Sequence, residues 1–273
     1  MACFFFASSR AVRLSAYASW AYTSREPALR DLYDPEYVGD VPLLGAGRPL
    51  VRPEHVQDLE LGGRWRQGDD LLALDVFRMD FRDELVDAGQ FNTDLGYPIL
   101  GNAARSIHQG VELQARVTRP LGTVRATLEG DATITDAHFV HFTSHYGPSS
   151  ADDVVSDGKA IGFFPGRIAH LTGRATWHGL SAAATFEYVG RIYLDNTAST
   201  FESIGPHRTL GVQLTAERRV GDTRLELSVR GMNVTDARYA TGGYVDLDAA
   251  GTYVPCVNPA ATRHWLAGVR AEW

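Results

Sequence analysis

Histidines and paired carboxylates are the residues of this 273-residue chain that could carry out chemistry, and several of them fall in one stretch. His138, His141 and His145 are followed by Asp152 and Asp153. Imidazole is a common metal or haem ligand, and adjacent carboxylates can act as a general acid and base. However, a strand would place His138 and His141 on opposite faces. We therefore predict a solvated polar loop, and no catalytic residue, resident metal or cofactor.

Other motifs of enzymes and nucleic-acid binders are missing from the chain. It contains no GxSxG, HExxH or CxxC sequence. Its formal net charge of −7 excludes a general nucleic-acid binder, since such proteins are usually basic. Two cysteines, Cys3 and Cys256, are too few for a disulfide scaffold, and their sequence positions leave open whether they pair.

The elements that must position any site are strands, because apolar and polar residues alternate with a period of two. Residues 123–135 alternate strictly over thirteen positions, which gives a strand one apolar and one charged face. In 71–82 the apolar positions change parity near Val76 and Phe77, which predicts a bulge. The ten predicted strands cover 12–22, 56–65, 71–82, 106–118, 123–135, 168–177, 180–192, 209–217, 224–230 and 262–273.

Short and long connections alternate along the chain. The short ones lie at 67–70, 120–121, 178–179 and 220–222, and the long ones at 24–54, 86–104, 137–162, 194–206 and 234–261. In an up-and-down sheet this order places every short turn at one end and every long loop at the other. Outer-membrane β-barrels have this asymmetry, and their strands alternate apolar-out and polar-in. The sequence therefore predicts an all-β, antiparallel transmembrane barrel portion of about ten strands.

The last strand carries a further signal. Counting back in twos from the terminus gives Trp273, Ala271, Val269, Ala267 and Trp265, all apolar. A terminal aromatic residue in phase with such a series is similar to the assembly signal of bacterial outer-membrane barrels. We therefore expect Trp265, Val269 and Trp273 to contact the barrel-assembly machinery.

Several stretches together resemble the TonB-dependent outer-membrane receptors, over the C-terminal half of their barrel domain. The stretches are LSAYASWAYTSREPALRDLYD (14–34), LVRPEHVQDLELGGRW (50–65), ARSIHQGVELQARVTRPLG (104–122), LSVRGMNVTDARYATGGYV (227–245) and PAATRHWLAGVRAEW (259–273). They occur in the order of the family and span residues 14–273. Each stretch alone is a weak match, and the ordered set is a specific one.

The resemblance implies an outer-membrane transporter, not an enzyme, that imports a large scarce nutrient such as an iron–siderophore complex. Outer-membrane lipid would surround the strands, and the TonB complex would supply energy through a plug domain. Loops of this family contact the ligand, so we expect contacts from loop residues with cationic or aromatic character. These candidates are Arg30, Tyr33, His141, His145, Tyr146 and Tyr244.

The resemblance also leaves expectations about domain organisation. Residues 1–10 match nothing in the family pattern, residues 11–273 match the barrel, and no plug domain or signal peptide is visible. We therefore expect a fragment that does not transport by itself. Two alternatives remain: a ten-stranded outer-membrane protease resembling omptins, with Asp152, Asp153, His141 and His145 at its rim, and a soluble β-sandwich binding module.

Overall fold

The structure, a computed structural model, describes residues 2–7, 12–28, 32, 43–44, 48–49, 51–92, 97–145 and 153–273. The strands are β1 (Ala2–Ala7), β2 (Val12–Arg25), β3 (Leu43–Leu44), β4 (Arg48–Pro49), β5 (Glu54–Gln67), β6 (Asp70–Asn92), β7 (Tyr97–Leu121), β8 (Val124–His141), β9 (Thr143–His145), β10 (Asp153–Val155), β11 (Arg167–Trp177), β12 (Leu180–Val189), β13 (Ile192–Tyr193), β14 (Ser203–Ile204), β15 (His207–Val220), β16 (Thr223–Met232), β17 (Ala240–Leu247), β18 (Tyr253–Pro259) and β19 (His264–Glu272). No helix among the described residues is long and apolar enough to cross a membrane.

One antiparallel sheet contains all ten predicted strands. Its order is β1-β2-β5-β6-β7-β8-β11-β12-β15-β16-β19, so neighbours in the sheet follow one another along the chain. The eleventh strand, β1, comes from the segment left unassigned by the sequence pattern, and it pairs with β2 from Ala2↔Ala18 to Ala7↔Arg13. This single up-and-down sheet contradicts the β-sandwich alternative and confirms a portion of a transmembrane barrel.

Four two-residue hairpin turns lie at the periplasmic end, and one of them corrects a prediction. The connection predicted at 120–121 lies at Gly122 and Thr123 instead, because Pro120 and Leu121 still pair with β8. His178 and Gly179 both have positive φ, and a glycine with positive φ begins each of the other three turns: Gly68, Gly122 and Gly221. Turns of this kind match the right-handed twist of the strands they join. Asp70, the first residue of β6, links this strand to β7, because its carboxylate accepts the Thr118 backbone N–H at 2.9 Å.

The structure corrects two predictions about β6 and β7. The predicted connection 86–104 is largely strand, since β6 runs to Asn92 and β7 begins at Tyr97. The bulge predicted at Val76 and Phe77 is wrong, because β5, β6 and β7 stay in register through both residues. The backbone irregularity lies further on, at Asp83, which has a φ of 54°.

The change of residue type in β6 marks a change of environment. Leu72, Leu74 and Val76 project outward, and Leu72 is 47% exposed. The same outward phase continues with exposed Arg78 and Arg82, whereas the inward phase changes from the mixed set Leu71, Ala73 and Asp75 to Phe77, Met79 and Phe81. A strand that leaves the bilayer needs a polar exterior, and its inner face is then free to pack against protein.

The described part of the last strand has the predicted orientation. Trp265 and Val269 project from the apolar exterior of β19, where Val269 is 75% exposed. Trp265 packs over Gly231 of β16, where a Cβ would come within 2.5 Å of the indole ring. Trp273 follows β19 and is 95% exposed.

Candidate ligand-binding loops at the extracellular end

A small hydrophobic core holds the extracellular ends of β6, β7 and β8 to the loop that follows them. Phe139 is fully buried, and its ring lies 4.6 Å from that of Phe142. The core consists of Val86, Ala103, Ala137, Phe139, Phe142 and Ile161. The loop also extends the sheet, because the Phe139 N–H donates to the Lys159 carbonyl and the Ile161 N–H donates to the Ala137 carbonyl. The long loop is therefore anchored on the strands at its base.

A buried polar group lies beside this core. Ser106 Oγ donates to the Glu84 carboxylate, and His108 Nε2 lies 2.9 Å from the other carboxylate oxygen. The Phe81 and Phe164 rings flank His108 at 4.9 and 5.1 Å. Because the serine bonds to the carboxylate and not to the imidazole, this is not the serine–histidine pair of a hydrolase. It ties β6 to β7 instead.

Two further carboxylate and amide side chains join β5 to the β6–β7 hairpin. Glu54 accepts from the Leu85 backbone N–H at 2.9 Å and pairs with Arg25 at 2.8 Å. Asn102 accepts from the Arg52 N–H and donates to the carbonyls of Arg52 and Asp83. These bonds satisfy backbone groups where the strands separate.

Asn196 joins three extracellular segments. Its side-chain oxygen accepts the Gly162 N–H at 3.0 Å, and its amide donates to the Asp87 carbonyl of β6 at 2.7 Å. A Cβ at Gly162 would come within 2.8 Å of the Asp195 carbonyl, so glycine permits this close approach. The loop after β13 is thereby held on the core of β6–β8.

His141 and Asp157 close the base of the loop between β8 and β11. Asp157 accepts from the Phe142 N–H at 2.9 Å and lies 3.2 Å from His141 Nδ1. These contacts, the backbone bond above all, hold the pKa of the Asp157 carboxyl below its ordinary value. His141 remains exposed, so it is available to a ligand while one ring nitrogen faces Asp157.

The loop over residues 194–206 contains a carboxylate pair. Thr197 Oγ1 donates to Asp195 at 2.8 Å and lies 3.2 Å from Glu202. Burial and then the neighbouring Asp195 charge raise the pKa of Glu202 above its ordinary value. The two loops thus carry carboxylates whose pKa values shift in opposite directions.

Aromatic side chains gather where β15 begins and the β16–β17 connection returns. His207 stacks on Tyr239 with ring centroids 4.1 Å apart. The hairpin of β17 and β18 stands beyond them and carries exposed Tyr244 and Tyr253. Stacked aromatic and imidazole rings provide flat surfaces for a conjugated ligand.

The predicted ligand contacts are distributed unevenly. His141 and Tyr244 lie on extracellular segments and are exposed, whereas Arg30, Tyr33 and Tyr146 lie outside the described residues. The backbone of His145 belongs to β9 and pairs with Asp153 of β10. His138 contacts Asp136 and His141 contacts Asp157, so these two histidines have separate partners. Within the described ranges no three His, Cys, Asp or Glu side chains gather to hold a metal.

Sequence patterns did not identify Asn196, Glu84 or Ser106. Asn196 acts through contacts with segments 34 and 109 residues away, which no local pattern records. The one sequence signal near Glu84 was the change of parity in β6. That change reports a polar exterior and an apolar interior, and therefore a packed region above the membrane.

The sheet, its apolar exterior and the grouping of its long loops define a portion of a β-barrel of the outer-membrane type. The family model described as TonB dependent receptor-like, beta-barrel matches residues 11–269. The chain therefore belongs to the TonB-dependent receptors, a family of outer-membrane receptors and transporters of Gram-negative bacteria.

Individual relatives resemble this chain in sequence or in fold. The pesticin receptor of Yersinia enterocolitica is 25% identical over 227 residues, which are 80% of this chain and 30% of the relative. The ferric yersiniabactin uptake receptor FyuA of Yersinia pestis superposes with a TM-score of 0.64 at 19% identity, over 96% of this chain and 35% of that one. The siderophore receptor PiuA of Acinetobacter baumannii gives 0.67 at 18%, over 98% and 35%. The chain spans about a third of the length of these proteins.

Proposed function

We propose that this chain forms the C-terminal part of an outer-membrane receptor that imports an iron–siderophore complex. The observation that carries the proposal is the family match over residues 11–269, on a sheet whose apolar face is exposed. Two similar structures are named as a ferric yersiniabactin uptake receptor and a siderophore receptor. The receptor delivers its ligand unchanged and is not an enzyme.

The described extracellular segments have chemistry that suits a ferric chelate. Tyr244, Tyr253 and the His207–Tyr239 stack supply aromatic surfaces, and His141 is an exposed imidazole. Such side chains favour a ligand that combines conjugated rings with negative charge. We assign the ligand contacts to these loops, together with Arg30, Tyr33, His145 and Tyr146.

The remaining partners follow from the same assignment. Outer-membrane lipid covers the exterior of the sheet, and the barrel-assembly machinery recognises Trp265, Val269 and Trp273. The TonB complex supplies energy through a plug domain. Nothing in the loops suggests a nucleic-acid partner, since the chain is acidic overall.

The test is ligand binding by the inserted chain. The full chain is refolded into lipid vesicles, and insertion is measured by heat-dependent electrophoretic mobility. Three iron chelates are then titrated, and their binding is followed by tryptophan fluorescence: ferric hydroxamate, ferric catecholate and ferric citrate. We expect one class to bind saturably, and Tyr244→Ala to weaken that binding. Tyr188→Ala, on the exterior face, is the matched control and should leave it unchanged.

A chain that inserts but binds none of the three chelates would contradict the siderophore assignment. A fourth titration uses a copper chelate, because the copper transporter OprC also superposes, with a TM-score of 0.66 at 16% identity over 96% of this chain. If the copper chelate binds saturably and no iron chelate does, the proposed ligand becomes a copper complex.

A further inference from the structure

The upper edge of the apolar exterior crosses the sheet diagonally. Residues paired in register on neighbouring strands form transverse rows. One exterior row passes from Trp20 through Leu59 and reaches Arg78 on β6. The next row runs from Ala18 through Val76 and Ile134 and reaches Arg167 on β11. In each row the first charged residue is an arginine.

A third row repeats this arrangement further along the sheet. It starts at Ala16, contains only apolar, aromatic or glycine residues as far as Tyr188, and reaches Arg208 on β15. The three rows start at Trp20, Ala18 and Ala16, so each arginine lies two residues nearer the periplasmic end than the one in the row before. With about 3.4 Å per residue and about 4.8 Å between strands, the line through them slopes by roughly 30°. Barrel strands tilt by roughly 35–45°, so the line lies close to one level of the membrane.

These three residues, the boundary arginines, form no salt bridge with a carboxylate among the described residues. Arg78 donates to the neutral Gln109 at 2.5 Å, and the Arg208 guanidinium lies 5.8 Å from the Tyr188 ring centre. Nearby exterior carboxylates are occupied, since Asp80 binds Arg105 and Asp136 contacts His138. All three boundary arginines are exposed. The charge on this level of the exterior is therefore available to an outside anion.

We propose that the boundary arginines bind the phosphate groups of glycolipids in the outer leaflet of the membrane. A guanidinium binds a phosphate through two parallel hydrogen bonds, and it does so best where aromatic and apolar neighbours reduce hydration. The three side chains start from strands about 10–15 Å apart, so each contacts a separate phosphate. The apolar rows directly below them hold the acyl chains of the same lipids.

This inference rests on the proposed outer-membrane location, and the experiment separates the two. The full chain is refolded into phosphatidylcholine vesicles that contain diphosphoryl lipid A, dephosphorylated lipid A or phosphatidylglycerol. Insertion is measured by heat-dependent mobility. Retained lipid is measured by native mass spectrometry after extraction in a mild detergent. The variant is Arg78→Gln/Arg167→Gln/Arg208→Gln, and the control is Arg64→Gln/Arg174→Gln/Arg230→Gln on the interior face.

The expected result is selective retention of diphosphoryl lipid A by the unsubstituted chain and by the control. Each arginine near an anionic lipid surface contributes roughly fivefold in affinity, so the boundary variant should retain that lipid about a hundredfold more weakly. Insertion should be the same for all three proteins. Equal retention by the boundary variant, or preference for phosphatidylglycerol, would overturn this inference alone. Failure of every protein to insert would overturn the membrane location and the inference with it.

Discussion

The lower and upper halves of β6, β7 and β8 have opposite polarity, although they belong to the same continuous strands. In the lower half the exterior is apolar, as at Leu74 and Leu113, and the interior carries pairs such as Arg116 with Glu129 at 2.9 Å. In the upper half the exterior carries Arg78 and polar neighbours, and the interior packs around Phe139. The backbone pairing does not distinguish the two halves.

The difference shows how one continuous strand is adapted to lipid in its lower half and to water in its upper half. In the bilayer the apolar side chains meet lipid, and association between protein elements gains little from apolar contact. Above the bilayer the same residue types must be covered by protein, since water lies outside. The upper half therefore has a folded core to which the long loops attach, whereas the lower half acts as a support.

The largest expected effect tests this contrast with the same substitution in each half. Phe139→Ala empties a fully buried site and should lower the free energy of unfolding by about 3–5 kcal/mol. Phe186→Ala, on the lipid face of β12, should cost about 1 kcal/mol, since it loses cross-strand contacts with Leu171 and Leu210. Urea unfolding of the inserted chain, followed by fluorescence, gives both values. Equal losses would show that the two halves do not differ.

A smaller effect locates the boundary itself on β7. Leu113 and Gln109 lie on the same exterior face, below and above the change of polarity. Leu113→Arg should destabilise the inserted chain by about 2 kcal/mol, because it places a charge in lipid. Gln109→Arg should cost about 0–1 kcal/mol near the interface. The comparison uses the same unfolding measurement, and a similar cost at both positions would place the boundary elsewhere.

A substitution at Asn196 tests how the upper core holds the loops. Asn196→Ala removes the acceptor of the Gly162 N–H and the donor to Asp87, and should cost about 1–3 kcal/mol. Hydrogen exchange should become faster at Gly162 and stay unchanged at the periplasmic turns. Asn258→Ala, at an exposed position of β18, is the control substitution. Slow exchange at Gly162 in Asn196→Ala would show that the bridge is dispensable.

The smallest effect is a difference in pH response between the two loops. The pKa of Asp157 is lowered, so its contribution to stability is present above the ordinary carboxyl pKa and is lost as pH falls through the lowered value. The pKa of Glu202 is raised, so its contribution is complete below the ordinary value and is lost as pH rises through the raised value. Acidification should therefore lower the protection factors for hydrogen exchange in residues 142–145 and 153–158, and raise them in 194–204.

Asp157→Asn and Glu202→Gln provide the matched controls for this response. Each should remove the pH dependence of exchange in its own loop and leave the other loop unchanged. A shared response in both loops would instead indicate global unfolding.

Much of the fold was predictable because strand patterning is local. The ten strands, three of the four turns and the exterior position of Trp265 and Val269 follow from alternation, and the structure confirms them. The fourth turn, predicted at 120–121, lies at Gly122 and Thr123. The extension of β6 and β7 to Asn92 and Tyr97 was not predictable, because alternation fades where both faces become mixed. The site was predicted less well: His141 and Tyr244 lie on the loops, yet the Asn196 bridge depends on residues far apart in sequence.

The sequence by itself determined which residues share a face, because successive side chains of a strand point to opposite sides whatever surrounds them. It also determined three of the four turns, because the alternation is interrupted where the chain turns. Only the tertiary structure decided what each face meets. Lipid, water and a packed loop all accept the same alternation, and they are distinguished by the strands and loops brought alongside. This is why a change of residue type at Val76 and Phe77 suggested a bulge, whereas the assembled sheet stays in register there and exchanges the polarity of its two faces.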